Sequence, residues 1–208
     1  MTQMYIVRHG EYIHSEEPPY DLGLSPDGIW QVQKLRDRLA GENLDIDVLI
    51  SSSMKRAIQT AEILSSVLKL QVEIDPDLDE WRNQGENGLT QNELVSQLNA
   101  LPASQHAFIS PGPGLETWGE FGFRVCNSLN RICQKYSNKN IAIVAHGGTI
   151  EASFVYCYGI SPLVATPFMM MLTPANTSIT HWRYIHKVNA WRLEKHNDTC
   201  HLKETPNH

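Results

Sequence analysis

No apolar run in this chain of 208 residues approaches the roughly 18 residues that a membrane-spanning helix requires. The greasiest stretch, Phe168-Met169-Met170-Met171-Leu172, is strand-sized, so no membrane association is expected. Positive charge is also short. Lys and Arg number 17 against 23 Asp and Glu, a net charge of −6, which argues against a nucleic-acid partner. A cationic pocket in such a chain would be a local feature, suited to a small anionic ligand. Cysteine is scarce: Cys126, Cys133, Cys157 and Cys200 are the full set, and none forms a Cys-x-x-Cys pair. Cys126 and Cys133 stand seven apart in a helical pattern, about two turns along one face, too far for a disulfide. Reduced thiols fit a cytoplasmic protein. The first residues show no basic segment leading into a long apolar one, so no secretory leader is expected. His196 with His201, and His181 with His186, lack a third ligand at metal-binding spacing, so no metal is expected.

What is present is alternation. Apolar residues make up 41% of the chain and charged residues 19%, which suits one globular domain over residues 1–208. Tyr5-Ile6-Val7 is a strand that ends in Arg8-His9-Gly10. The segment Tyr12 to Leu24, with Pro18, Pro19 and Gly23, reads as a loop beside the strand end. Ser25-Pro26-Asp27 starts a helix, with Ser25 as N-cap, Pro26 at the first helical position, Ile29, Val32, Leu35 and Leu39 on one face, and Gly41 as terminator. Val48 to Ile50 is a strand, Met54 to Leu68 a helix with Ala57, Ala61, Leu64 and Leu68 on one face, and Val72 to Ile74 a short strand. Asp75 to Gly88 is a polar loop. Gln91 to Ala100 reads as a helix, Pro102 to Gly114 as an irregular excursion, and Leu115 to Tyr136 as the longest helix. Ile141 to Ala145 echoes the first strand and again runs into His146-Gly147. Thr149 to Tyr158 is its helix. Phe168 to Leu172, Ser178 to Tyr184 and Val188 to Glu194 are strands, the last two a hairpin about His186-Lys187. Phe168 to Leu172 is either a core strand or a paired edge, and the second reading leaves a homodimer open. The pattern predicts an α/β fold, a three-layer α/β/α sandwich. Its central sheet is mostly parallel, with helices on both faces and the late strands as an antiparallel edge.

The chemistry lies at the strand ends. A neutral imidazole is a good nucleophile toward phosphorus, and a guanidinium grips phosphoryl oxygens in a fork. At Arg8-His9-Gly10 the glycine leaves room for a substrate, and neighbouring positive charge holds His9 neutral. Arg56 stands in the first turn of its helix, where the dipole disfavours a cation, which points to an anion nearby. At His146-Gly147-Gly148, free amides at a helix start suit an anion. Each stretch alone has a bland reading: a hydrogen-bonding histidine, a solvated arginine, a core histidine. Together they describe a site for a transferring phosphoryl group, where cations and an in-line nucleophile suffice and no cofactor is called for.

Several stretches, in order along nearly the whole chain, resemble the histidine phosphatase superfamily, the phosphoglycerate-mutase-like family. They are Val7-Arg8-His9-Gly10-Glu11, Leu24-Ser25-Pro26-Asp27-Gly28 through Gln31, Ser51-Ser52 through Arg56-Ala57 and Thr60-Ala61, Leu78-Asp79-Glu80, and His146-Gly147-Gly148. Weaker matches are Glu116-Thr117-Trp118, Asn176 with Ser178-Ile179-Thr180, and Asn197 to Leu202. The resemblance implies that His9 becomes a phosphohistidine. Arg8, Arg56 and His146 would surround the phosphoryl group, with Gly10, Ser15 and Gly147 in the substrate-binding set. Glu80 would protonate the leaving oxygen and then activate water, a role for which a raised pKa is expected. Asp77, Asp79 and Glu86 are rival carboxylates. The chain departs from the family at Tyr12, where Thr or Ser is common, at Ser15, where Asn is common, and after Trp81, where the second glycine-flanked Trp is missing. The implied activity is metal-independent phosphomonoester hydrolysis on a small phosphorylated metabolite. A phosphoglycerate mutase and a phospho-ligand-binding module without turnover are the alternatives.

Overall fold

The computed structural model describes residues 1–15, 19–42, 44–82, 93, 96–97, 99–110, 112–160 and 172–203. Strands β1 (Gln3–Arg8), β4 (Val48–Ser51), β5 (Val72–Ile74) and β6 (Asn140–Ala145) lie parallel. Strands β7 (Ile179–Ile185) and β8 (Ala190–Asp198) add the expected antiparallel edge, giving the order β5-β4-β6-β1-β7-β8.

Strand periodicity builds the layers, because successive side chains point to opposite faces. On one face Met4, Ile6, Ile141 and Ile143 meet Phe121, Val125, Leu129 and Ile132 of α3 (Trp118–Lys135) and Ile150 and Phe154 of α4 (Gly147–Tyr158). On the other, Val7, Leu49, Ala142 and Val144 meet Val32, Leu35 and Leu39 of α1 (Pro26–Glu42) and Ala57, Ala61 and Leu64 of α2 (Lys55–Leu68). Burying each large aliphatic side chain stabilises by about 2 kcal/mol. The result is the three-layer α/β/α sandwich, with β6 and β1 central.

The helix ends follow local chemistry. Ser25 Oγ accepts the Gly28 amide at 3.0 Å and donates to Glu11 at 2.9 Å, so one hydroxyl caps α1 and ties it to the loop after β1. The long helix starts at Trp118, three residues later than the pattern suggests, because Thr117 and Glu120 form a reciprocal capping box. In contrast, α4 starts at Gly147, before Thr149, so the His146-Gly147-Gly148 run is the helix N-terminus itself.

Other expectations are corrected. Tyr12 to Leu24 is not all loop: β2 (Tyr12–His14) pairs antiparallel with β3 (Asp21–Leu24). Gly41 does not end α1, which runs to Glu42. Ile29 is 42% exposed, and Gly28 takes the inward position. The excursion after Pro102 holds a short 3-10 helix, Ala103–Phe108. The expected helix at Gln91 to Ala100 and strand at Phe168 to Leu172 lie largely outside the described residues.

Candidate active site

The register places the chemistry. Arg8 pairs with Ala145 across β1 and β6, and Ser51 pairs with Val144 across β4 and β6. The residues just beyond these pairs, His9, His146 and Ser52, therefore share the carboxyl edge of the sheet, the usual ligand edge of an open α/β fold. The His9 and His146 rings lie 5.1 Å apart, inclined by 58°, and both are buried.

Hydrogen bonds fix the tautomer of His9. Arg56 Nε donates to His9 Nε2 at 3.0 Å. A guanidinium has no lone pair to offer, so Nε2 is unprotonated. The proton sits on Nδ1 and is donated to the Gly10 carbonyl at 2.7 Å. Burial, then the charge of Arg56, push the His9 pKa down to about 3, with Arg8 adding to the effect. The Nε2 lone pair of His9 is thus free of protons and held under Arg56.

Arg56 is itself held. Its backbone N–H and its Nη1 both reach Asp21 Oδ2 at 3.1 Å. The anion that a cation in the first turn of α2 calls for is, in part, this carboxylate of β3. The Tyr12 ring covers the other side, 4.3 Å from the guanidinium carbon and edge-on to His9. Asp21 has no legible signal in the chain order, since it meets Arg56 only once β2 and β3 pair. Asp21→Asn leaves a buried cation without its counter-charge, so a loss of about 3 kcal/mol is expected. Because a bound anion can replace that charge, inorganic phosphate should raise the variant's melting temperature by more than it raises the wild type's. Equal phosphate shifts in a thermal-melt series would defeat this account.

His146 is set by a second relay. Asp79 accepts from Ser52 Oγ at 2.8 Å and from the Ser53 amide and hydroxyl at 2.8 and 2.9 Å. Ser52 Oγ also accepts the Met54 amide at 3.1 Å. The one Ser52 proton is spent on Asp79, so Ser52 accepts from His146 Nε2 at 2.7 Å. Burial, with His9 and both site arginines, drives the His146 pKa well below the ordinary value. Its Nδ1 is buried without a partner among the described residues.

Asp79 is therefore engaged in fixing Ser52 and Ser53. Asp77 pairs with Arg131 at 3.1 Å, and Glu86 lies outside the described residues. Glu80 meets the start of α4. Its Oε2 accepts the Gly148 amide at the start of α4 at 3.2 Å, and its Oε1 accepts the Trp81 amide at 3.1 Å. Arg124 of α3 sets this loop. It forks onto Glu116 with two 2.7 Å bonds and donates to the carbonyls of Asp77 and Asp79 at 2.9 and 3.0 Å. Arg124 follows the apolar stripe of its helix closely, the only hint the sequence gives of an inward role.

The glycines have packing reasons. A Cβ at Gly10 would come within 2.8 Å of the Gly28 carbonyl and of Val32 Cγ2. Close approach of the β1 end to α1 therefore demands this glycine, in place of the room for substrate read from the sequence. A Cβ at Gly148 would overlap Glu80 Oε1 and come within 2.9 Å of Phe121 Cζ. Gly148→Ala should displace the Glu80 carboxyl and lower kcat by about 10²-fold, with KM nearly unchanged. A steady-state comparison giving wild-type kcat would show that Glu80 tolerates the shift.

Arg8 donates through Nη1 to the Pro174 carbonyl. Ser15 ends the β2–β3 pair, its amide donating to the Tyr20 carbonyl at 3.0 Å. A cleft of about 410 Å³ opens over Arg56 and Glu80, walled by Tyr12, His14, Tyr20, Lys55 and Trp81 among others. Among the described residues no group of His, Cys, Asp and Glu side chains could hold a metal ion, and no helix is long and apolar enough to cross a membrane.

Comparison with known proteins agrees with this fold. A phosphatase, PhoE, of Bacillus subtilis (strain 168), itself uncharacterized, is 24% identical over 206 residues, 97% of each chain. A metal-independent phosphoserine phosphatase of Arabidopsis thaliana is 25% identical over 97% of this chain and 84% of its own. The crystal structure of a phosphoserine phosphatase mutant from Entamoeba histolytica in complex with phosphoserine superposes with a TM-score of 0.72 at 23% identity, over 98% of this chain and 100% of that one. The family model for branch 1 of the histidine phosphatase superfamily matches residues 4–199. The chain belongs to the histidine phosphatase superfamily, branch 1.

Proposed function

We propose that this protein hydrolyses small phosphomonoesters through a phosphohistidine on His9. The observation that carries the reading is the unprotonated His9 Nε2, held 3.0 Å from Nε of Arg56, a residue that lines the cleft. In the first step Nε2 bonds to phosphorus while the ester P–O bond breaks. Arg8 and Arg56 hold the phosphoryl oxygens, with His146 packed beside His9, and Arg56 turns from Nε2 to an oxygen as substrate enters. Glu80 gives its proton to the leaving oxygen. In the second step Glu80 takes a proton from water, the water oxygen bonds to phosphorus, and the P–N bond breaks. The proton stays on His9 Nδ1, donated to the Gly10 carbonyl, throughout. Preorganised cations supply the charge stabilisation that phosphoryl transfer needs.

The cleft suits a small metabolite. The Arabidopsis relative acts on phosphoserine, and a structural neighbour from Entamoeba histolytica binds 3-phosphoglyceric acid, which supports a small phosphorylated acid here. Cys126, Cys133, Cys157 and Cys200 are unpaired, which supports a reducing, cytoplasmic setting.

The test is to incubate the protein with phosphoserine, 3-phosphoglycerate and an aryl phosphate, with and without a chelator, measuring released phosphate and phosphate-migration products. Chelator-resistant release supports the reading. Migration without net release would make it a mutase, the name carried as probable by several relatives. Phosphate binding without turnover would make it a binding module. Loss of activity on chelation would overturn the metal-independent route.

A further inference from the structure

Glu151 lies on α4, one turn beyond Gly147 and Gly148, and is half-buried. Its Oε1 accepts the Leu172 amide at 3.0 Å, and the neighbouring Thr173 amide also favours its charged form. Pro174, next in the chain, gives its carbonyl to Arg8 Nη1. Thr173 stands at a φ of 35°, unfavourable for a β-branched residue, so the strap Leu172 to Pro174 is held in place against its own preference. Arg8 Nε is buried with no partner among the described residues, which leaves an oriented donor on the guanidinium. The strap therefore joins a carboxylate of α4 at one end to an arginine of the phosphoryl site at the other.

The charged groups that face Glu151 are Glu80, from the loop after β5, and Arg8, from β1. Burial first, and then Glu80, push the Glu151 pKa up to about 6 against the pull of the two strap amides and Arg8. With the folded pKa above the ordinary carboxylate value, stability present at acid pH is lost as pH rises through about 6. The ionised form is thus kept at a cost in stability, the pattern expected of a functional group.

We propose that Glu151 is a positioning residue of the phosphoryl site, holding Arg8 in its phosphate-meeting orientation through the strap Leu172 to Pro174. This rests on the phosphoryl-site reading above. Charged acceptors hold amides about twice as firmly as neutral ones, so removing the charge loosens the strap without removing its contact.

The experiment compares wild type, Glu151→Gln and Glu151→Ala. At pH 7.5 the Gln variant should show KM for an aryl phosphate raised about fivefold, and the Ala variant about twentyfold, with kcat within about twofold. The melting shift produced by inorganic phosphate should shrink in the same order. The Gln variant should melt no lower than wild type at pH 7.5, which a purely structural carboxylate would not allow. Between pH 7.5 and 5.5 wild-type KM should approach that of Glu151→Gln, the ratio cancelling the substrate's own titration. Folded variants with wild-type KM, phosphate shift and pH profile would overturn the proposal, as would a loss confined to kcat. Should the wild type bind phosphate without turnover, the hydrolase reading falls, while the series of phosphate-induced melting shifts still decides the role of Glu151.

Discussion

Replacing His9 by alanine is expected to lower kcat on an aryl phosphate by at least about 10⁴-fold, the scale on which a lost covalent nucleophile is felt. The ring does what no neighbour can. Its Nε2 carries a lone pair because Nδ1 holds the proton for the Gly10 carbonyl, and its pKa of about 3 keeps that lone pair available down to moderately acid pH. In His146 the Nε2 proton is committed to Ser52, and the lone pair on Nδ1 is enclosed, without a hydrogen-bond partner among the described residues. Arg8, Arg56 and His146 remain in the variant, so inorganic phosphate or vanadate should still raise its melting temperature. Residual turnover within about tenfold of wild type would place the nucleophile elsewhere. The same burial sets the acid limit of the wild type. His9 and His146 have folded pKa values below the ordinary 6.5, so the unfolded chain binds protons there that the folded one does not. Stability is lost as pH falls from about 6.5 toward 3. A fall of kcat at acid pH should therefore track the melting temperature, with His9 itself still neutral.

The sequence carried the strand ends plainly. Apolar runs that stop at Arg8-His9 and at His146-Gly147 announce their chemistry, and alternation of strand and helix orders the sheet that joins them. The supports are of another kind. Asp21, Ser52 and Arg124 act by contacts with Arg56, His146 and the carbonyls before Glu80, made across long chain separations that no local pattern encodes. Asp79 reads as a rival acid from composition alone. Only its three serine-borne donors show that its carboxylate is occupied. The pairing of Tyr12–His14 with Asp21–Leu24 hides behind Pro19 and Gly23, whose φ of 97° makes the glycine a requirement of the turn into α1. Strands of three and four residues offer too little alternation to outweigh such breakers.

Glu80→Gln separates the two halves of the proposed cycle. Gln keeps the shape and an oxygen for the Gly148 amide, which Glu80 accepts at 3.2 Å, but it has no proton to give or take. General acid catalysis contributes about 10²–10⁴-fold. On an alkyl ester such as phosphoserine, whose leaving oxygen is strongly basic, kcat should fall by about 10³-fold. A nitrophenyl ester leaves as a stabilised phenolate and needs little protonation, so its first step should survive. Its second step should not, because water then lacks a base. The variant should therefore release about one equivalent of nitrophenol in a rapid burst and then stall as phospho-His9, the signature of a covalent intermediate that accumulates. Equal losses on both esters with no burst would remove Glu80 from proton transfer. A full loss in Asp79→Asn with a burst would move the role to Asp79, against the contacts that tie that carboxylate to Ser52 and Ser53.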